Sequence, residues 1–405
     1  MTTPNPSSKL GAILAAIIAV GIGLFLSTTS EQDPMSPWTA VCVIIGLVLT
    51  PLSHLQLHPL FLWITALFPS LIGILPAMTP HPSWQYTLDQ FQSVDLRGQS
   101  ALITGANGGI GFELSRALSR QGASVTLACR HPQRCFAAAD RIRKEEGYSG
   151  APVSPLVMDV SDLHSVRRAA KTYLTYNDGE LDMLYLNAGV VVSSSEATSK
   201  DGIEMVFATN IVGHHLLYRL LEPALQKSTV ARVVSTSSAS SIWWMPPYGL
   251  PYLGSNKASL IPSTAEELNN ASIFPLARYG RSKLAQLAWT EALTSKLGHD
   301  SNVYANVAHP GAVYTPIVAP KKTQVLPQFL LDVMVHLVKK ILWSAEDGVL
   351  TLLYLGVATD EIQNKELRGR YFHPQAVEVD HPHAKAEELQ ENVWKLCEEL
   401  VQSFL

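Results

Sequence analysis

The first chemistry in this chain lies between Thr104 and Phe112, where the residues read Gly105-Ala106-Asn107-Gly108-Gly109-Ile110-Gly111. A turn of this kind can hold a pyrophosphate. Gly105 permits the tight turn, Gly109 lets the backbone approach the phosphates, and Gly111 lets helix and strand pack closely. Asn107 and Ile110 belong to the same cradle. The N–H groups that open a helix have no partner of their own and attract anions. A second pair could move a proton. Tyr279 and Lys283 stand four positions apart, on one face if the segment is helical. A phenol titrates near ~10, so a neighbouring ammonium would lower the cost of a tyrosinate and let it act as general acid or base. Each has a plain alternative: a packed aromatic for Tyr279, a solvated charge for Lys283.

Elements must hold these residues in place. Gln99 to Thr104 is a short buried-strand candidate that runs into the glycine turn. A helical pattern follows, with Leu114, Ala117 and Leu118 on one face, and Ser124 to Cys129 is the next strand. The turn therefore sits inside one βαβ unit, which makes the dinucleotide reading specific. An NAD-selective site places an acid near the end of the second strand. Here that place holds Cys129, Arg130 and His131, and the next acid is Asp140. A carboxylate would repel a 2′-phosphate, whereas a guanidinium binds it with two hydrogen bonds. Arg130 points to NADP(H).

The 405 residues are 47% apolar and only 16% charged, with a formal net charge of −4. No long run of Lys or Arg is present, which argues against nucleic acid as a partner. The four cysteines, Cys42, Cys129, Cys135 and Cys397, follow no framework spacing and read as reduced thiols. No metal site is expected. The charge deficit has a local source in residues 1–80. Leu10 to Ser27 is apolar and uncharged, Trp38 to Leu52 is a second such run, and Leu60 to Met78 is a third, with Pro69 inside. In hydrocarbon such runs are helices, so two or three membrane-anchor helices are expected, with a cleaved signal peptide as the alternative for the first. Residues 81–95 read as a linker and 96–405 as the catalytic domain. Lys9 before the first run and Glu31 and Asp33 after it favour a cytoplasmic N-terminus. Two spans would then leave the domain facing the cytosol. Pro327 to Trp343 is unusually apolar, and reads as a substrate lid or a core helix.

These motifs resemble the short-chain dehydrogenase/reductase family. Thr104 to Gly111 matches its TGxxxGxG cofactor motif. Asp159-Val160 resembles the pair that meets the adenine, and Asn187-Ala188-Gly189 matches the family's NAG. Asn210, within Thr209 to Gly213, matches the helix Asn of the catalytic tetrad. Arg232 to Ser238 matches the fifth strand with its catalytic Ser; Ser238 aligns with it, and Ser237 is adjacent. Tyr279-Gly280-Arg281-Ser282-Lys283 matches YxxxK, and Pro310-Gly311, with Thr315, matches the turn at the nicotinamide end. The resemblance covers roughly residues 96 to 375. Finer features, ALITGANGGIG, LACR, YGRSKLAQ and Gly369 to Phe372, resemble the retinol-dehydrogenase-like branch, many of whose members are membrane-bound reductases of lipophilic carbonyls. One departure is the long interval from Ser238 to Tyr279, which carries Trp243, Trp244, Tyr248 and Tyr252.

The resemblance implies an α/β fold, a doubly wound parallel sheet (Rossmann fold), here with N-terminal transmembrane helices. It implies catalysis by Asn210, Ser238, Tyr279 and Lys283. Tyr279 delivers the proton, Lys283 also bonds the nicotinamide ribose, Ser238 holds the substrate oxygen, and Asn210 holds a water in a proton relay. The expected partners are a lipophilic small molecule (retinoid, sterol, terpenoid or lipid-like) and membrane lipid, and a homodimer stays open. The expected location is a multi-pass position in the endoplasmic reticulum membrane. Two other functions remain: reduction of a conjugated C=C bond on the same fold, and a non-enzymatic NADP(H)-binding membrane sensor or scaffold.

Overall fold

Eight strands build one sheet: β1 (Ser100–Thr104), β2 (Ser124–Cys129), β3 (Val153–Val157), β4 (Met183–Leu186), β5 (Ala231–Thr236), β6 (Val303–Ala308), β7 (Tyr371–His373) and β8 (Val377–Glu378). Their order is β3-β2-β1-β4-β5-β6-β7-β8. Every pair is parallel except the last, where β8 returns antiparallel beside β7. The order reverses direction between β1 and β4, and ligands of such sheets bind outside the carboxyl ends of the strands at that switch. The central strands read as short apolar runs because helices cover both faces. All residues of β4, β5 and β6 are buried. The computed structural model describes residues 86–176, 179–191, 197–243, 261–270, 275–311, 313, 343–381 and 385–405.

The helices that matter for the site are α1 (Leu88–Gln92), α2 (Gly109–Arg120), α3 (Pro132–Arg143), α4 (Leu163–Tyr176), α5 (Gly213–Leu225), α6 (Pro275–Leu297), α7 (Leu350–Val357) and α8 (Glu387–Val401). A π-helical turn, Ala208–Val212, leads into α5. Such turns widen the helix by one residue and gather at functional sites. The cause of the close fit here is Gly213. A Cβ at that position would stand 1.9 Å from the Val160 carbonyl oxygen, so only glycine lets the helix start meet the turn after β3.

Two expectations need correction. The stretch read as a linker is part of the fold from Tyr86 onward. Thr87 and Gln90 form a capping box on α1, and Tyr86, Phe91 and Leu96 are buried in the main core beside Leu353 and Tyr354. Sparse apolar residues in a polar stretch hid this, because only three side chains do the anchoring. The second correction concerns the cysteines. Cys129 and Cys135 form a disulfide, with Cα atoms 5.6 Å apart. β2 ends at Cys129 and α3 begins at Pro132, and this reversal brings the two together. Cys397 is free and buried.

The three apolar N-terminal runs, the segment from Pro327 up to Trp343, and the inserted aromatics from Trp244 to Tyr252 lie outside the described residues. Among the described residues no helix is long and apolar enough to cross a membrane.

Candidate active site

The cofactor end is built on the β1–α2 turn. Gly105 and Gly109 have φ of 69° and 56°, a region that other residues rarely adopt. Gly111 makes a close approach: a Cβ there would meet both the Gly105 oxygen and the Asn187 amide nitrogen at 2.6 Å. Asn107, Gly108, Gly109 and Ile110 stay partly exposed above it. Gly108 caps α2 without a side-chain hydrogen bond, which leaves the first N–H groups of this 12-residue helix open to an anion. These features fit a dinucleotide pyrophosphate.

Arg130 follows β2 directly and is exposed, and no described residue pairs with it. Asp140, the nearest acid in sequence, is occupied by Arg143 at 2.6 Å. Asp159 sits after β3, where its carboxylate accepts from the Ser161 N–H and hydroxyl at 3.0 and 2.7 Å. Val160 beside it is buried. Asn187 caps β4 and donates its amide to the Thr104 carbonyl at 2.9 Å. Pro310 and Gly311 follow β6, and Gly311 donates its N–H to His309 Nδ1. Thr315 lies outside the described residues.

The catalytic end brings Ser238, Tyr279 and Lys283 together at the carboxyl edge of β5. Tyr279 and Lys283 lie on α6, with the Lys283 nitrogen 5.4 Å from the Tyr279 ring centre. Ser238 faces the Tyr279 phenol and lowers its cost of ionisation. This separates Ser238 from its neighbour, since the Ser237 hydroxyl turns inward to the Lys283 carbonyl at 2.9 Å. Adjacent strand-end residues point to opposite faces, a distinction that the Ser-Ser doublet could not carry by itself.

The phenol is not depressed as the Tyr–Lys spacing suggested. Desolvation pushes Tyr279 up to about 12, and Ser238 offsets part of that. Lys283 is itself brought down to about 7 by burial. Its ammonium donates away from the tyrosine, to the Thr236 carbonyl at 2.8 Å and to Gln286 Oε1 at 3.0 Å.

Asn210 is fully buried. Its side chain accepts from the Val190 N–H at 2.9 Å and donates to Ser282 at 2.9 Å. Its backbone carbonyl accepts from His214 Nδ1 and from Gln286 Nε2, both at 3.1 Å. A carbonyl has two lone pairs, and these two side chains address it from opposite sides. Asn210 clamps the strand-end backbone to the helix of Tyr279.

Sequence reasoning missed three residues here: Thr104, His214 and Gln286. Thr104 Oγ1 accepts from the Asn187 and Ala188 N–H groups at 2.9 and 2.8 Å and faces His214 Nε2 at 2.9 Å. The carbonyl of Asn210 can only accept, so His214 carries its proton on Nδ1 and receives the Thr104 hydroxyl on Nε2. Burial holds this imidazole down to about 4, and therefore neutral. The spacings were a usable signal. His214 is at i+4 from Asn210, and Gln286 is at i+3 from Lys283. Around the same edge, Thr236 Oγ1, Ser240 Oγ, His309 Nε2 and His373 Nε2 are buried without a protein hydrogen bond.

Residues 99–273 match the family described as short chain dehydrogenase. The chain is 30% identical over 319 residues to the human (Homo sapiens) WW domain-containing oxidoreductase, covering 78% of this chain and 72% of that protein. It is 33% identical over 280 residues to retinol dehydrogenase 12 of Mus musculus, covering 69% and 79%. Among solved structures, a protein of uncharacterised function from Mycobacterium paratuberculosis aligns with a TM-score of 0.55 and 26% identity, covering 77% of this chain and 97% of that one. L-Sorbose reductase of Gluconobacter frateurii, solved with NADPH and L-sorbose, shares the fold at a TM-score of 0.54 and 18% identity, over 72% and 99%. With the parallel sheet, the glycine turn and the Ser–Tyr–Lys cluster in place, these likenesses make the chain an oxidoreductase of the short-chain dehydrogenase/reductase family, resembling its retinol-dehydrogenase-like branch.

Proposed function

We propose that this protein is an NADP(H)-dependent oxidoreductase that interconverts a carbonyl and an alcohol on a lipophilic substrate, anchored in a membrane. The observation that carries the carbonyl reading is Ser238 facing the Tyr279 phenol, with Lys283 over its ring on the same helix. A bound nicotinamide supplies the hydride. The chain's own residues do the rest. Ser238 and Tyr279 hold the substrate oxygen, and Tyr279, protonated across the neutral range, delivers the proton as charge builds there. Lys283 stabilises the tyrosinate left behind and offers its remaining N–H to the ribose.

Arg130 supports NADP(H) over NAD(H), as an exposed guanidinium at the ribose position with no carboxylate to repel a phosphate. The apolar segments and the likeness to a retinol dehydrogenase support a lipophilic substrate. The test is a screen of hydrophobic aldehydes and ketones with membranes holding the full chain, following NADPH oxidation. Turnover of conjugated C=C substrates with no carbonyl turnover would reject the reading.

For the membrane, we favour two spans and a cytosol-facing domain at the endoplasmic reticulum. One observation favours the opposite side: disulfides such as Cys129–Cys135 persist in oxidising compartments and are rare in the cytosol. Asn270-Ala271-Ser272 is a glycosylation sequon, and Asn270 is exposed. Glycosidase treatment separates the two. A sugar-dependent gel shift that vanishes in Asn270→Gln places the domain in the lumen, while digestion of the domain in sealed vesicles by added protease places it in the cytosol.

A further inference from the structure

Lys283, Gln286 and Asn210 are 3%, 2% and 0% exposed, so no bulk water shares their polar atoms. The ammonium has three N–H bonds to satisfy. Thr236 takes one and the Gln286 carbonyl oxygen takes another. The Gln286 amide nitrogen then reaches the Asn210 carbonyl, which His214 bonds from the other side. Gln286 lies one helical turn beyond Lys283 on the same face of α6, so the bridge is set by helix geometry and not by a mobile loop.

We propose that Gln286 is a positioning residue for Lys283: its amide joins the ammonium to the Asn210 carbonyl, fixing where Lys283 stands and helping it keep its proton. The inference rests on the oxidoreductase reading above. The amide orientation follows from its neighbours, because an ammonium only donates and a carbonyl only accepts. An amide does not exchange protons as water does, so Gln286 holds the charge in place and does not pass a proton along. With two of three N–H bonds anchored, the third is left for an incoming ribose hydroxyl. Burial alone drives Lys283 toward the neutral amine, and the Gln286 oxygen opposes that drift. The other titratable groups facing Lys283 are Tyr279 on its own helix, His214 on α5 and His309 after β6, and burial keeps both imidazoles neutral.

The test uses the full chain in membranes and two substitutions. Gln286→Leu keeps the volume and removes both bonds. Gln286→Glu keeps the acceptor and adds a charge that favours the ammonium. NADPH affinity is measured against pH by quenching of protein fluorescence, alongside the pH–rate profile with the best carbonyl substrate. In Gln286→Leu the alkaline limb of both profiles should move down by about one pH unit, with NADPH bound about tenfold more weakly at neutral pH. In Gln286→Glu the limb should move up. A purely structural role would lower stability and leave both limbs in place. Unmoved limbs in Gln286→Glu overturn the proposal, even if Gln286→Leu fails to fold. Lys283→Met distinguishes the layers. If it leaves NADPH binding and turnover intact, the functional reading itself fails. If it abolishes them while the Gln286 limbs stay put, only this inference fails.

Discussion

The nucleotide end and the catalytic end of this site are built on opposite principles. At the nucleotide end the groups proposed to meet the cofactor are backbone N–H groups of one short turn and an exposed Arg130 after β2. At the catalytic end the groups are side chains from the end of β5, the π-helical turn, α5 and α6; Asn210, His214, Lys283 and Gln286 are buried and joined by hydrogen bonds. The first end is open and gains its affinity only when an anion arrives. The second is held by internal bonds before any ligand binds, with one Lys283 N–H and a few buried polar atoms left over. Binding specificity should therefore follow single exposed residues, and catalysis should follow a coupled set.

The sharpest break of that contrast is Tyr279→Phe. Removing the one transferable proton should lower turnover at least ~10³-fold, at the upper part of the range for general acid catalysis. NADPH binding should stay within a factor of two or so of the parent. Residual turnover above a tenth of the parent would mean that another group supplies the proton.

Lys283 carries the next effect, and its sign is opposite for activity and stability. Its folded value of about 7 lies below the ordinary 10.5. Between these values the unfolded chain binds more protons than the folded one, so the cofactor-free protein should gain stability as pH rises through that window. Below pH 7 the full cost of burying the charge is present. Lys283→Met should therefore stabilise the cofactor-free protein by roughly 3 kcal/mol near pH 6, allowing for two lost hydrogen bonds, with the gain fading toward alkaline pH. Activity runs the other way: reduction should fall as pH climbs past 7 and the ammonium is lost. Denaturant melts at several pH values decide this, and a destabilised Lys283→Met protein at pH 6 would contradict it.

Arg130→Asp probes the open end. Losing a charge-assisted pair and adding repulsion should weaken NADPH about 100-fold, near 2.7 kcal/mol, while NADH changes little. Titration with both cofactors measures the ratio, and an unchanged preference would assign the 2′-phosphate to another group. The smallest effect belongs to the disulfide. Its ends are six residues apart, so breaking it with Cys135→Ser should cost about 2 kcal/mol or less. A larger loss in a chemical melt would mean that it anchors more than the β2–α3 connection.

What could be read in advance follows the same contrast. The glycine turn, Arg130 and the strand and helix around them were legible, because each depends on neighbours in sequence. β2 was placed at Ser124–Cys129 with its observed bounds. Ser238 was assigned over Ser237 by alignment alone, and the physical reason for the difference is long-range: the Ser237 hydroxyl is taken by the Lys283 carbonyl of α6. Thr104, His214 and Gln286 escaped notice because their partners are remote in sequence and polar residues in a helix look alike from composition. Tyr86 and Phe91 were absorbed into a linker because a few anchoring side chains leave no periodic pattern.

The hydrogen bonds from the Asn187 N–H through Thr104 to His214 and on to the Asn210 carbonyl all point the same way. The Thr104 hydroxyl has one proton and two acceptors, His214 Nε2 at 2.9 Å and the Tyr185 carbonyl at 3.3 Å, and turning to the second leaves the imidazole nitrogen without a donor. The cofactor turn and the catalytic helix thus share one ordered line of dipoles, directed from the sheet toward Asn210. The Thr104 hydroxyl proton, shut off from solvent, should be among the slowest hydroxyl protons in the molecule to exchange.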